Sequence, residues 1–246
     1  MTRFGLSLVL IVLGAALGAK MNFAQNNYIT PMTNLFIDIS RQNSFLFSHQ
    51  FNMSMANSML ARNIRRAGGV LPRNESTTAT IFTPSTGSIA PQKLAARYGK
   101  TAQDRQTLTQ IGDRLLQLCK DSLEQSRTPK NDLAHVLAFS LKTSYLVYSD
   151  GKGRLTEEQS DGVVKILRAF IVAHPPYERM SDRDKQEAYE TFAILGTFTS
   201  VAYDEARKRN DTRLMAGLRS MAQNHIEEIL GPLNSIVMTK DGFAYR

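Results

Sequence analysis

Four histidines, one cysteine and two adjacent glutamate pairs are the residues of this 246-residue chain best suited by type to catalysis or metal binding. His49, His135, His174 and His225 stand singly, without a His-x-x-x-His pair, and Cys119 has no second thiol to join it. A tetrahedral zinc site needs clustered ligands, so no metal is expected. The stretch Asp150-Gly151-Lys152-Gly153-Arg154 followed by Glu157 has the outline of a calcium loop, but Lys152 and Arg154 fall where oxygen ligands belong and two cations there repel the ion. No Gly-x-Ser-x-Gly elbow and no Gly-rich phosphate loop occurs, so no cofactor is expected either. Glu157 with Glu158, and Glu227 with Glu228, lie in helical segments that also carry basic residues, and read as solvated faces and dipole partners. His225 is the one histidine on a strongly apolar face, beside Asn224 and one turn from Met221. That setting suits a core or boundary histidine donating to a backbone carbonyl better than a catalytic base. Tyr145, Tyr148, Tyr189 and Tyr203 recur at helical spacings and read as core. Sequons at Asn52, Asn74 and Asn210 matter only in a glycosylating host. The sequence therefore names no catalytic residue.

The elements that would position any such group are helical. Pro91 to Tyr98, closed by Gly99, predicts a short helix. From Asp104 to about Gln125, Leu108, Ile111, Leu115, Leu118, Cys119 and Ser122 form a stripe at spacings of three and four, an amphipathic helix in which Cys119 is a buried thiol. Asp132 caps a helix to about Tyr148 with Leu133, Val136, Leu137 and Leu141 on one face, and Ser149 to Gly153 makes a turn. Thr156 caps the next, with Glu157 and Glu158 in its first turn and a core face of Val163, Ile166, Leu167, Phe170 and Ile171; Pro175-Pro176 ends it. Ser181 caps a long helix to about Lys208 whose middle, from Ala188 to Ala202, is apolar on most sides, which places it at the centre of a bundle. Asp211 starts the last, with Leu214, Leu218, Met221, His225 and Ile229 on one face up to Gly231-Pro232. The tail from Leu233 is apolar enough to pack back on the rest.

The N-terminal third has a different texture. Arg3, an apolar run from Phe4 to about Leu17 and then small residues give the three-part order of a secretory signal peptide, spanning 1–24. The apolar run is shorter than the ~20 residues that span a bilayer comfortably, and an uncleaved anchor is the alternative. Cleavage fits either after Ala16-Leu17-Gly18 or after Phe23-Ala24. Residues 25–67 hold Met32, Met53, Met55 and Met59 with weak helical periodicity, best from Phe51 to Arg66. Gly68-Gly69 opens a Gly-, Pro-, Ser- and Thr-rich stretch that reads as a linker over 68–90. The helical domain then covers 91–246. The formal net charge is +8. Half of what remains after removal of Arg3 and Lys20 sits in residues 21–92, on Arg41, Arg62, Arg65, Arg66 and Arg73 against Asp38 and Glu75. Beyond residue 92, 23 basic and 20 acidic residues are interspersed, which is no footprint for nucleic acid.

Leu94-Ala95-Ala96-Arg97-Tyr98 opening the domain, Asn131-Asp132-Leu133-Ala134 starting a helix, Lys185-Gln186 leading the long helix and Thr239-Lys240-Asp241-Gly242-Phe243 near the end carry a resemblance. Over about residues 91 to 243 the chain resembles an uncharacterised family of bacterial exported all-helical proteins, classed as a domain of unknown function. The resemblance implies a bacterial envelope or secreted setting and brings no activity or site residues with it.

The expectation is thus an all-α bundle of about five helices behind a signal peptide, a weakly helical region and a linker. Its function is expected to be that of a binding or scaffold module, periplasmic or secreted, with a protein partner or an anionic envelope surface as its target and no membrane span once the signal is removed. Two rivals are a small-ligand or lipid carrier, with Phe192, Phe198, Phe170 and Met221 lining a cavity, and an enzyme whose site is assembled from single residues such as His225 or His174 with an acidic partner.

Overall fold

The computed structural model describes residues 78–172 and 175–245. The signal peptide, the Met-rich region, the first part of the linker, His49 and His174 lie outside the described residues.

Among the described residues seven helices follow one another: α1 (Ala90–Tyr98), α2 (Ala102–Gln125), α3 (Leu133–Tyr148), α4 (Glu157–Val172), α5 (Pro175–Arg179), α6 (Asp182–Lys208) and α7 (Thr212–Leu230). Five of them are long, and the fold is the expected all-α bundle. The caps explain the boundaries. Thr101 and Asp104 form a reciprocal capping box that starts α2 two residues earlier than the apolar stripe alone implies, and Ser181 with Asp184 does the same for α6. Asp132 accepts from the Ala134 amide, and Asp211 from that of Leu214. Thr156 and Gln159 exchange side-chain-to-amide bonds at the start of α4.

Helix α6 packs against α1, α2, α3 and α7. Its central place agrees with the apolar middle of its sequence. Helix α3 shares that centre, packing against α4, α6 and α7. Its sequence reads as one-sided, yet only Tyr148 of its sixteen residues is exposed. Small residues make this possible: a Cβ on Gly196 of α6 would come within 2.9 Å of the Ser140 Cα of α3, so the two backbones meet closely there. Helix α4 ends at Val172, ahead of Pro175-Pro176, and these two prolines open the short α5.

The C-terminal tail adds a feature the helical reading does not contain. A 3-10 turn (Leu233–Ser235) leads into an antiparallel hairpin of β1 (Ile236–Thr239) and β2 (Gly242–Tyr245), with Thr239 paired to Gly242 across the turn. The hairpin lies on α4. Gln159 donates to the Thr239 carbonyl, Phe243 meets Tyr145 edge-on at 5.4 Å, and a Cβ on Gly162 would fall 1.9 Å from the Asp241 carbonyl oxygen. Glycine at 162 is thus what lets the turn touch the helix. No helix among the described residues is long and apolar enough to cross a membrane.

Candidate functional site

Residues 78–90 belong by composition to the linker over 68–90, and in the structure this stretch is a strap laid across the bundle. Thr80, Phe82, Ile89 and Ala90 are buried. Phe82 enters the core and meets Tyr189 of α6 edge-on at 5.6 Å. The strap backbone is held from two sides. On one, the Phe82 amide donates to the Asn131 carbonyl and the Leu133 amide to that of Thr80, an isolated antiparallel bridge. On the other, Asp182, Gln186 and Glu190, spaced four apart along α6, each accept from strap amides. Thr83 donates to Asp182, both Ser85 N and Oγ to Gln186 Oε1 at 2.7 and 2.8 Å, and the Ile89 and Ala90 amides to Glu190 Oε2 at 2.6 and 2.8 Å. Gln186 in turn donates to the Gly87 carbonyl and to Glu190 Oε1, both at 2.8 Å. Since Ile89 gives α1 no side-chain cap, Glu190 supplies the negative charge that the helix N-terminus requires.

Under the strap lies a buried polar network centred on Asp132. Its Oδ1 accepts from Thr80 Oγ1 at 2.5 Å and its Oδ2 from Arg168 Nη2 at 2.7 Å; His135 Nδ1 stands 2.7 Å from the same Oδ2. Arg168 Nε also reaches Thr80 Oγ1 at 3.3 Å, and Tyr177 of α5 donates to the Ala79 carbonyl. Burial works against the Asp132 charge, but the bonds from His135, Thr80 and Arg168 outweigh it and hold the carboxyl at about 2. With Nδ1 donating to the carboxylate, the His135 ring presents Nε2 as an acceptor, on a side chain that is 23% exposed. An imidazole oriented by a carboxylate can take up a proton or bind a ligand. The one hydroxyl bonded to Asp132, that of Thr80, is spent on the carboxylate rather than on the ring.

A second polar pair lies deeper. Ser140 Oγ of α3 and His225 Nε2 of α7 are 2.9 Å apart, with the serine fully buried and the histidine 4% exposed. The expected partner of His225 was a backbone carbonyl; the bond found is to a serine hydroxyl. Burial alone pulls the imidazole down to about 4, so the ring is neutral at pH 7. A serine and histidine in contact have the makings of a nucleophile and its base, but this pair is closed off inside the core.

The other sequence candidates separate from these groups. Cys119 is fully buried, and burial pushes its thiol up to about 12, which leaves it inert as a nucleophile. Asp150 of the calcium-like loop is exposed and accepts from Tyr203 and Arg219, whose bonds keep its carboxyl below the usual range. Tyr189 and Tyr203 are core residues as expected, Tyr145 packs partly buried against the core, and Tyr148 is exposed at 39%. Phe170, Phe192, Phe198 and Met221 all belong to the apolar core of the bundle. Among the described residues no three His, Cys, Asp or Glu side chains gather as a metal site would require.

Comparison with known proteins adds one relationship. The family of unknown function DUF6683 matches residues 4–246. The chain belongs to that family. The match reaches well ahead of the residues that carried the resemblance and takes in the N-terminal third together with the strap and the bundle. Comparison with curated proteins and with solved structures gave no match.

Two of the groups assembled here escape the sequence reading. Asp132 is visible as a helix cap, but its partner Arg168 is a lone cation among Val164, Leu167 and Ile171, and a cation on an apolar stripe calls for a buried carboxylate. The four-residue spacing of Asp182, Gln186 and Glu190 is equally legible, although nothing local says that it faces an extended segment.

Proposed function

We propose that this member of the DUF6683 family is an exported, non-enzymatic binding or scaffold module. In it the helical bundle fixes the point from which the Met-rich, basic residues 25–77 reach a protein partner or an anionic envelope surface. The observation that carries the reading is the strap. The buried polar groups Asp132, Arg168, Gln186 and Glu190 are spent on fastening residues 78–90 to the bundle, which makes this segment a fixed anchor point. Networks of this kind specify one arrangement when fully satisfied, as befits an anchor. The apolar start of the chain supports export, and the excess of arginine in residues 21–92 supports an acidic or anionic target.

The test is crosslinking in the envelope fraction of the native host, comparing the full chain with one in which the signal segment is joined directly to Thr78. The reading expects crosslinked partners or membrane association to be lost in the shortened chain while the bundle still folds. Identical recovery from both chains would remove its basis.

A second reading rests on His135. Its orientation by Asp132 and its partial exposure are what an enzyme site assembled from separate residues would begin with. Hydrolysis of a panel of chromogenic esters and phosphoesters by the purified chain, abolished in His135→Gln, would favour it. Equal rates in the two proteins would dismiss it for those substrates.

A further inference from the structure

The Ser140 and His225 contact lies where three helices meet. His225 projects from α7 towards α3 at Ser140, and its ring centroid is 6.0 Å from that of Phe192 on α6. Gly196 of α6, whose Cβ position would touch Ser140 Cα and the Phe139 ring, marks a close approach of α3 and α6 at the same level. The imidazole thus sits on the seam along which α7 docks, and the bond found for its Nε2 is to a neutral hydroxyl.

The charged and titratable groups of the surrounding helices are for the most part committed elsewhere. On α3, His135 is bound to Asp132, and half-buried Lys142 is paired electrostatically with Asp161. On α6, Tyr189 meets Phe82 and Glu190 holds the strap amides. On α7, Glu227 accepts from Gln223 and from the Leu233 amide, and half-buried Glu228 stands one turn along. None of them bears on the proton affinity of His225, which is governed by burial alone. A proton on this ring therefore places a cation in an apolar seam without a counter-charge. That is tolerated only if the seam opens.

We propose that His225 makes the docking of α7 acid-labile, so that protonation of its ring releases α7 from α3 and α6 while the strap stays fastened. Release uncovers Leu218, Met221, Ala222, Ile226 and Ile229, an apolar helical face that is otherwise fully covered. It also frees the start of the chain segment that leads into the hairpin. The strap behaves differently because the Asp132 carboxylate keeps three donors about it and remains charged in mild acid.

The sign follows from linkage. The neutral ring is the folded form, so docking is at full strength above the ordinary histidine range near 6.5. It weakens as pH falls through that range towards about 4, where the buried ring itself takes up a proton. The opening equilibrium rises by up to about tenfold per pH unit, and by roughly sixty-fold at pH 4.5 relative to pH 7.

Hydrogen exchange by mass spectrometry on the full chain between pH 7 and 4.5, corrected for intrinsic exchange rates, tests this. The expected result is that protection of α7 amides falls by that factor relative to α2 amides, and that the fall is absent in His225→Gln, which keeps a hydrogen bond to Ser140 but does not titrate. Protection of α7 that keeps pace with α2, or an equal fall in the variant, would overturn the proposal. If the variant fails to fold, the imidazole nitrogen shifts of the wild-type chain decide. A ring still neutral at about pH 5.5 upholds the proposal, and a ring already charged there overturns it.

Discussion

Asp132 shows how one carboxylate serves three purposes at once. It caps α3, neutralises Arg168 and receives the Thr80 hydroxyl, and it is itself fully buried. Removing it in Asp132→Ala leaves the Arg168 guanidinium buried without a counter-charge, and urea unfolding should show a loss of about 3 kcal/mol or more. Replacing both charges, in Asp132→Leu with Arg168→Met, should restore part of that loss, because the penalty lies in the unpaired cation. The same carboxyl gives a pH signature. Its folded value of about 2 lies below the ordinary 3.8, so it contributes stability above about pH 4 that is lost as pH falls towards 2. The contribution is about 2 kcal/mol. His225 acts in the same direction but in a higher window, so a stability profile should first slope down below pH 6.5 and fall again near pH 3. Asp132 is recognisable in the sequence as a cap, and His225 as a core histidine, because both roles are local. Their partners Arg168 and Ser140 lie 36 and 85 residues away, and no local pattern identifies them.

At the scale of elements, the helices follow from caps and apolar stripes, and their boundaries agree with the sequence to within a few residues. The two departures have a common cause. The strap and the hairpin are short and extended, so their places depend on what they touch. The strap needs the row Asp182, Gln186 and Glu190. The hairpin has a local signal in Asp241-Gly242, a pair suited to a tight turn, but it also needs Gly162 on α4. In Gly162→Ala the added methyl group would overlap the Asp241 carbonyl, and the turn must lift off α4. A cost of about 1–3 kcal/mol is expected, with loss of exchange protection confined to the hairpin and the first turns of α4. An unchanged hairpin would mean that this contact does not hold it.

For the molecule as a whole, the strap over 78–90 is packed on the bundle, so the folded unit includes residues ahead of Pro91. Composition places a linker up to residue 90 because Gly, Pro, Ser and Thr dominate there, but composition cannot register that Phe82 has a pocket or that α6 carries acceptors in register with the strap amides. The proposed function depends on this packing, since an arm is presented from a fixed point only if the strap belongs to the folded unit. Equilibrium unfolding of two shortened chains, one beginning at Thr78 and one at Pro91, tests it most directly. The account predicts that the chain from Thr78 matches the full chain in stability. The chain from Pro91, which lacks Phe82 and leaves Asp132 and Glu190 short of partners, should lose about 4 kcal/mol or fail to fold. Equal stability of the two shortened chains would contradict the account, because the strap would then be the linker that its composition suggests.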